Sequence, residues 1–317
     1  MFGKINKGIF FSSGPVISEG WTIVRDLALE CEQLGYDSLW LGDHLLSESV
    51  KLEAWTSLSA LSSITKRIRL GHLVLCNSFR PPALFAKMAA TLDNISGGRY
   101  ELGIGSGWNE AEHIAYGYPF PSVAARTRML RESLEIMKML WTQDKSTFEG
   151  KYYKVKDAIC EPKPVQKPTP PITIAGGGER YTLKLVASHA DRCNPNGTVE
   201  EYSKKLKVLK KYCDEIGRNY EEIDKIFFSY VSSVYSDETE SEEKLKETYD
   251  QSTHKNHMTF KQWLEKAKTI GIMGTPEECI DKIQRYVDIG VNYFVFSLSD
   301  PVNDKESLKF FANFQFS

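Results

Sequence analysis

The chain has 317 residues, of which 41% are hydrophobic and 12% aromatic, so it can bury a sizeable core in one large domain or in two ordinary ones. Its 40 basic and 42 acidic residues give a formal net charge of −2, which excludes a strong overall field that would attract nucleic acid or an anionic membrane. We therefore expect a small-molecule partner, with no nucleic acid and no membrane.

The six cysteines are scattered, they form no Cys-x-x-Cys pair, and no histidine stands at zinc-finger spacing. A chain of this length does not need a disulfide framework, so we interpret the cysteines as reduced thiols. No apolar run approaches the ~18 residues of a membrane span. The amino terminus lacks the small-residue cleavage site of a signal peptide. These features predict a cytoplasmic protein without a bound metal.

Strand-like and helix-like segments alternate along the chain. The predicted strands cover residues 5–11, 38–41, 68–76, 100–104, 172–175, 191–193, 226–235 and 293–298. The predicted helices cover residues 20–34, 52–64, 81–92, 123–141, 179–188, 199–216, 276–289 and 308–314. Strands that alternate with helices in this way favour an α/β fold of the (β/α)8 TIM-barrel type, with inserted segments, over an open doubly wound sheet.

Two stretches interrupt this alternation. Residues 142–171 are rich in proline and predict a surface excursion with a small hairpin near residues 148–155. Residues 237–270 are strongly charged and show no strand pattern, so we predict a helical insertion within a single domain that spans residues 1–317. His254 and His257 fall in this insertion and form no metal set with acidic residues.

Residues 99–113 contain the fourth predicted strand and the turn that follows it. Within this segment the chain changes quickly from a buried strand to bare backbone and then to stackable and titratable side chains. Its turn contains the three glycines Gly103, Gly105 and Gly107. Glycine allows a sharp turn or the close approach of a ligand. Trp108 can stack on a flat heterocycle, or it can simply fill the mouth of the barrel. An ordinary glycine-rich turn is the alternative for the whole segment.

In a (β/α)8 barrel the chemistry lies at the carboxyl ends of the strands. His44 follows the second predicted strand and can exchange a proton near neutral pH, although a histidine that caps its own loop is the alternative. Asp43 can hold that loop or accept a hydrogen bond from a cofactor. Gly176, Gly177 and Gly178 can present backbone N–H groups to a phosphate, unless they form only a turn.

Several common motifs are missing. The chain has no P-loop, no Gly-x-Gly-x-x-Gly fingerprint of a dinucleotide site and no Gly-x-Ser-x-Gly nucleophile elbow. Nucleotide hydrolysis, Rossmann-type nicotinamide chemistry and nucleophilic hydrolysis are therefore poorly supported.

A set of segments matches one known family in the right order along nearly the whole chain. They are residues 35–44, 68–82, 92–110, 116–121, 171–178, 274–278 and 290–296. In these segments the chain resembles the bacterial luciferase-like oxidoreductases, and among them the branch that uses the deazaflavin coenzyme F420. The resemblance implies a (β/α)8 barrel, a homodimer, and coenzyme F420 in the barrel mouth, with FMN as the alternative cofactor.

The resemblance also implies contacts with the cofactor ring. Asp43 and His44 would lie beside the ring. Leu73 and Val74 would form a bulged, cis non-prolyl peptide bond that supports the ring from behind. A cis bond of this kind is rare, so it would point to a functional position.

Further contacts are implied for the rest of the cofactor. Cys76 and Asn77 would approach the ring or its ribityl chain, and Gly107 and Trp108 would flank the cofactor. Ala175 and the three glycines that follow it would receive the phosphate. The resemblance thus assigns Gly107 and the glycines after Ala175 to one site.

The catalytic candidates are His44 for proton transfer, Trp108 for the shape of the pocket, and Glu110. In the sugar-phosphate dehydrogenase branch of the family a glutamate directly follows the Gly107 position, and this chain has Trp108 there. Glu110 or Glu112 can replace that acid, or the reaction needs no such acid; we select Glu110. The Lys and Arg set that would hold a phosphorylated sugar is not recognisable either, so we do not expect glucose 6-phosphate as the substrate.

We therefore hypothesise an oxidoreductase that transfers hydride between a bound deazaflavin and a small organic substrate. One alternative is an FMN-dependent monooxygenase that uses reduced flavin and O2. A second alternative is a flavin- or F420-binding protein without turnover.

Overall fold

The computed structural model describes residues 4–11, 20–46, 52–236, 238–251, 258–298 and 300–316. The strands in these ranges are β1 (Asn6–Phe11), β2 (Ser38–Leu41), β3 (Arg69–His72), β4 (Leu75–Cys76), β5 (Tyr100–Gly105), β6 (Ser146–Glu149), β7 (Lys154–Ala158), β8 (Ile172–Ala175), β9 (Arg192–Asn194), β10 (Asp224–Ser229), β11 (Ser232–Val234), β12 (Ile272–Gly274) and β13 (Tyr293–Ser297). The α-helices are α1 (Trp21–Leu34), α2 (Ala54–Ile64), α3 (Pro82–Ser96), α4 (Glu110–Ala115), α5 (Val123–Thr142), α6 (Thr182–His189), α7 (Val199–Glu215), α8 (Glu238–Gln251), α9 (Phe260–Ile270), α10 (Pro276–Asp288) and α11 (Lys305–Asn313).

The main sheet closes on itself. Its strands follow the order β3, β2, β1, β13, β10, β9, β8 and β5, and β5 pairs in turn with β3. All of these pairs are parallel, with helices between the strands along the chain. The predicted third strand, 68–76, is divided into β3 and β4 by a cis peptide bond between Leu73 and Val74. The (β/α)8 barrel is thus confirmed.

Local sequence signals explain where several helices begin and end. Gly35 adopts a left-handed conformation with φ of 89° and ends α1, as glycine commonly does at a helix terminus. Thr198 and Thr275 each form a capping box with the glutamate three residues later, which starts α7 and α10. The Thr198 signal sets the direction of the chain at the barrel rim, because α7 closely follows the end of β9.

The prediction of one seventh strand over residues 226–235 is wrong in its second half. The Ser229 hydroxyl donates to the carbonyl oxygen of Val231 at 2.8 Å and accepts from the N–H of Ile272 at 2.9 Å, which ends the barrel strand at Ser229. The chain then continues as β11, which pairs with β12 in a separate two-stranded sheet. Strand β12 was not predicted, because a strand of three residues is too short to show a periodic pattern.

The two predicted excursions have distinct structures. β6 and β7 form an antiparallel hairpin in which Phe148 pairs with Val155, as predicted. The predicted insertion at 237–270 contains α8 and α9. Residues 237 and 252–257, which include His254 and His257, lie outside the described part of the chain. None of the described helices has the length and apolar character needed to cross a membrane.

The barrel interior is filled by a cluster of aromatic and aliphatic side chains, distinct from the larger core between the barrel and its helices. Its fully enclosed members are Trp40, Ile226, Tyr293 and Val295. A Cβ on Gly71 would lie 2.4 Å from the Trp40 ring, so glycine at this position leaves the space that the indole occupies. The interior is therefore packed below the rim, as in other barrels of this type.

Charged side chains lie at the opposite, amino-terminal end of the barrel. Glu101 is fully buried and forms ion pairs with Arg69 and Arg192, the second at 2.8 Å. Arg192 also contacts Asp224 at 3.2 Å. All four residues belong to the first or second position of a barrel strand, so they form the polar floor of the barrel.

His72 gives a testable dependence of stability on pH. Its ring is fully buried and stacks on Trp55 with ring centroids 5.2 Å apart. Burial lowers the pKa of His72 from 6.5 to about 4. The unfolded chain takes up this proton at a higher pH than the folded protein does. Above the pKa of His72 in the unfolded chain, this difference has no effect on stability. As the pH falls from there towards the pKa of His72 in the folded protein, the free energy of unfolding decreases.

We expect His72→Phe and His72→Asn to flatten this dependence. Between pH 6.5 and 4.5 the wild type should lose roughly 2–3 kcal/mol more free energy of unfolding than either variant, measured in urea. The two variants differ in polarity and size, so they separate loss of titration from altered packing. Equal pH dependence in all three proteins would contradict the assignment.

Candidate active site

The two glycine-rich segments follow neighbouring barrel strands. Gly103 of β5 is aligned with Thr173 of β8, so both strands end at the same height. A Cβ on Gly105 would lie 3.9 Å from the carbonyl oxygen of Ala175. The segments after β5 and β8 therefore meet at the carboxyl-terminal rim of the barrel, as the parallel topology predicts.

Asp43 is buried at this rim and holds two strand ends together. Its carboxylate accepts a bidentate pair of hydrogen bonds from Arg80, at 2.7 and 3.0 Å. It also accepts from the backbone N–H of Cys76 at 2.9 Å. Burial alone would lower the pKa of Arg80, but Asp43 and Glu53 outweigh this effect and raise it, so the guanidinium stays charged. The structure thus shows Asp43 in the loop-holding role.

His44 and Glu112 form a pair between the ends of β2 and β5. The Nδ1 atom of His44 lies 3.0 Å from Oε1 of Glu112. The Glu112 side chain is buried, whereas the His44 side chain is 38% exposed. A carboxylate accepts the hydrogen on Nδ1, so Nε2 is the nitrogen that can exchange a proton with a ligand. Trp108 stands edge-on to His44 with ring centroids 5.8 Å apart.

The helix α4 decides which glutamate reaches His44. It begins after Asn109, whose side chain accepts a hydrogen bond from the N–H of Glu112. Glu110 and Glu112 are two positions apart on this helix, so they point in different directions. Glu112 faces inward to His44, while Glu110 is exposed. The geometry therefore favours Glu112 over the predicted Glu110 as the acid of the site.

Cys76 and His113 form a second contact that the sequence analysis did not foresee. The Sγ atom of Cys76 lies 3.8 Å from Nε2 of His113, although the two residues are 37 positions apart. Nδ1 of His113 hydrogen-bonds the carbonyl oxygen of Asn109 at 2.8 Å. Burial raises the pKa of the Cys76 thiol to about 11, so this thiol stays protonated and is a poor nucleophile at neutral pH.

Gly107 lies directly against this pair. Its φ is 79°, and a Cβ there would lie 2.7 Å from Sγ of Cys76. We expect Gly107→Ala to destabilise the protein by about 2–4 kcal/mol, because backbone strain and a steric clash add. Urea unfolding measures this change.

Gly117→Ala is the matched control for this variant. Gly117 has a φ of 74°, but open space surrounds the position of its Cβ. We expect it to cost only the backbone strain, about 1–2 kcal/mol. Equal losses of stability in the two variants would show that the steric clash between the Cβ at position 107 and Sγ of Cys76 does not affect stability.

The Leu73–Val74 segment closes the site from the side of β5. The Val74 side chain lies 3.2 Å from the Cβ position of Gly103 and 3.1 Å from that of Gly105. A larger residue at Gly105 would displace it, whereas one at Gly103 would first meet the backbone carbonyl of His72. Leu73 packs on top of the interior cluster. Asn77 is 1% exposed, and its side chain lies beside the hydroxyl of Tyr153.

The segment after β8 leaves backbone donors free. Gly176 has a φ of 118° and donates its N–H to the carbonyl oxygen of Asn194 at 3.0 Å. Among the described residues, none accepts a hydrogen bond from the N–H groups of Gly177 and Gly178. A Cβ on Gly177 would lie 2.8 Å from Nζ of Lys205. Free amides beside an ammonium group suit an anion such as a phosphate.

The structure thus places the predicted residues from Asp43 to Gly178 along one rim and adds three that the sequence analysis did not select. They are Arg80, Glu112 and His113. Arg80 falls in the matched segment 68–82 and supplies the charge that a buried Asp43 requires, which is the signal that could have identified it.

The histidine–carboxylate pair and the two glycine-rich segments lie at the carboxyl-terminal rim of a (β/α)8 barrel, which is where enzymes of this fold carry their active sites. Residues 8–293 match the family described as luciferase-like monooxygenase. The chain therefore belongs to the luciferase-like monooxygenase family.

Relatives of known activity align over most of the chain. The F420-dependent glucose-6-phosphate dehydrogenase of Amycolatopsis mediterranei is 30% identical over 315 residues, covering 89% of this chain and 90% of that protein. The enzyme of the same name from Microbacterium testaceum is 30% identical over 302 residues, covering 89% and 88%. These relatives are oxidoreductases, and the chain is assigned to that class of enzyme.

Solved structures show the same fold. An F420-dependent secondary alcohol dehydrogenase in complex with an F420–acetone adduct superposes with a TM-score of 0.84 at 22% identity, covering 98% of both chains. The oxygenating constituent of 3,6-diketocamphane monooxygenase from Pseudomonas putida, in complex with FMN, has a TM-score of 0.78 at 17% identity, covering 98% of this chain and 97% of that one. The fold is therefore shared by F420- and FMN-containing proteins.

Proposed function

We propose that this protein is an oxidoreductase that transfers hydride between bound coenzyme F420 and a small organic substrate. The observation that carries the proposal is the exposed imidazole of His44, paired with the buried Glu112 at the rim where the two glycine-rich segments meet. Two relatives that align over most of the chain are named F420-dependent enzymes, which supports F420 over FMN.

The residues at the rim fit a deazaflavin with a phosphate. Glycine at positions 105 and 107 keeps the backbone bare beside Val74 and Cys76, so no further side chain narrows the rim where a flat ring would bind. Glycine at position 103 makes room for the carbonyl oxygen of His72. The free amides of Gly177 and Gly178 would hold the phosphate, and the side-chain amide of Asn77, directly after β4, would hydrogen-bond a polar group of the cofactor. When bound, the deazaflavin supplies or accepts the hydride.

The remaining residues orient groups and move a proton. Glu112 holds the imidazole of His44 in one orientation, and Nε2 of His44 donates a proton to, or takes one from, the oxygen of the substrate. Asp43 and Arg80 tie the loop that carries His44 to the strand end at Cys76. Trp108, which is 74% exposed, forms part of the wall around the substrate.

A parallel titration of the purified protein with F420 and with FMN, followed by absorbance, tests this function. We expect micromolar binding of F420 and weaker binding of FMN. Tight binding of FMN with consumption of O2 would support a monooxygenase instead. Binding of either cofactor without any turnover would support a non-catalytic carrier, and binding of neither would refute the proposal.

The homodimer implied by the family resemblance and the cytoplasmic location stay predictions. Light scattering coupled to size-exclusion chromatography checks the first. Fractionation of the producing cells checks the second.

A further inference from the structure

Five aromatic rings follow one another around the mouth of the barrel. They are Tyr230, Phe228, Phe10, His44 and Trp108, and we call them the aromatic arc. Phe228 lies between Tyr230 and Phe10, with ring centroids 4.7 and 4.8 Å apart. His44 and Trp108 form the other end of the arc at 5.8 Å.

Gly42 joins the two halves of the arc. A Cβ on Gly42 would lie 3.0 Å from Cζ of Phe10 and 3.8 Å from Cδ2 of His44, so both rings converge on the same bare backbone. The absence of a side chain at Gly42 therefore leaves the Phe10 and His44 rings close together.

The arc rests on the interior of the barrel. Phe10 and Phe228 are half-buried and pack, together with Leu73, on the enclosed cluster that contains Trp40 and Val295. Tyr230 is 54% exposed and Trp108 is 74% exposed. The arc is thus anchored below, with exposed rings at its two ends, and it stands beside Leu73, whose neighbour Val74 adjoins the proposed position of the cofactor ring.

The charges near the arc do not suit an anionic substrate. The cation–ring contacts in the described part of the chain fall on other rings, such as that of Arg126 over Phe120. Arg80 is engaged by Asp43 and Glu53, and Lys205 donates to two backbone carbonyl groups. The carboxylate of Glu112 lies directly behind His44. A phosphorylated substrate at the arc would meet this carboxylate, while Arg80 and Lys205 are already engaged by other groups.

We propose that the aromatic arc binds the flat, apolar body of a neutral substrate and presents its carbonyl or hydroxyl oxygen to His44. This inference rests on the proposed function and specifies its substrate class. Aromatic rings arranged edge-on favour flat apolar ligands. The imidazole of His44 is the group of the arc placed to exchange a proton with the oxygen of such a ligand. The substrate class thus differs from the sugar phosphate named for the two relatives.

The test measures binding of 2-acetonaphthone and of glucose 6-phosphate to the full-length protein by calorimetry, without cofactor and with F420 bound. We expect 2-acetonaphthone to bind and glucose 6-phosphate to bind at least about tenfold more weakly. Tyr230→Ala and Trp108→Ala should each weaken 2-acetonaphthone binding about three- to tenfold, the value of one aromatic contact. Both side chains are exposed, so the variants should fold.

Tyr212→Ala is the matched control, because Tyr212 lies near the carboxyl end of α7 and therefore at the opposite end of the barrel. It should bind the ketone as the wild type does. Tighter binding of glucose 6-phosphate than of the ketone would overturn the inference, and so would wild-type ketone affinity in both arc variants.

Binding data for F420 and for the ketone distinguish the failure of this inference from the failure of the proposed function. If F420 binds and the ketone does not, the substrate class is wrong and the oxidoreductase proposal stands. If the ketone binds with the expected variant losses but F420 does not, the arc is confirmed as a binding surface and the proposed function fails.

Discussion

Replacement of His44 by alanine is expected to lower kcat by about 10²–10⁴-fold, the usual contribution of a general acid or base. The affinity for F420 should stay within about threefold of the wild type, because the substitution removes a proton-transfer group and leaves the glycine-rich segments intact. Steady-state kinetics with a substrate of the protein and an F420 titration measure the two effects. Unchanged turnover with unchanged cofactor affinity would contradict the assigned role.

Glu112→Gln separates a positioning role from a purely structural one. The amide keeps the size of the side chain but does not stabilise a protonated imidazole as a carboxylate does. We expect it to change the pH profile of kcat and to lower kcat more than Glu110→Gln does. The reverse order would favour the acid that the sequence analysis selected.

The second large effect concerns stability. Removal of the Glu101 carboxylate in Glu101→Ala is expected to lower the free energy of unfolding by about 3–5 kcal/mol, because two guanidinium groups then lose their shared partner at the barrel floor. Glu101 is fully buried, and it is flanked by Arg69 and Arg192. Urea unfolding near neutral pH measures the loss.

An exposed ion pair supplies the control. Glu149 lies 2.6 Å from Lys154 on the hairpin, and both side chains are more than two-thirds exposed. Glu149→Ala should change stability by less than about 1 kcal/mol, since solvent screens such pairs. Similar losses in Glu101→Ala and Glu149→Ala would show that the buried ion cluster contributes no more to stability than an exposed ion pair does.

Several features of the fold could be predicted because they depend on local patterns. Buried strand runs that alternate with amphipathic helices lead to a barrel, and parallel pairing then brings strand ends to one rim. His44, Trp108 and the glycines were found because they directly follow such strands. The division of residues 226–235 was missed, because the hydroxyl of Ser229 ends the ladder through contacts with Val231 and with distant Ile272.

The sequence by itself thus determined the barrel, the family and the positions along the chain where a ligand site could form. Only the tertiary structure decided that Glu112 partners His44, that Arg80 holds Asp43, and that Phe10 and Phe228 extend an arc of rings towards Trp108. The physical reason is that periodicity and turn chemistry act between neighbours in the chain. The direction of a side chain on a short helix, or across the barrel mouth, depends on contacts between residues far apart in sequence.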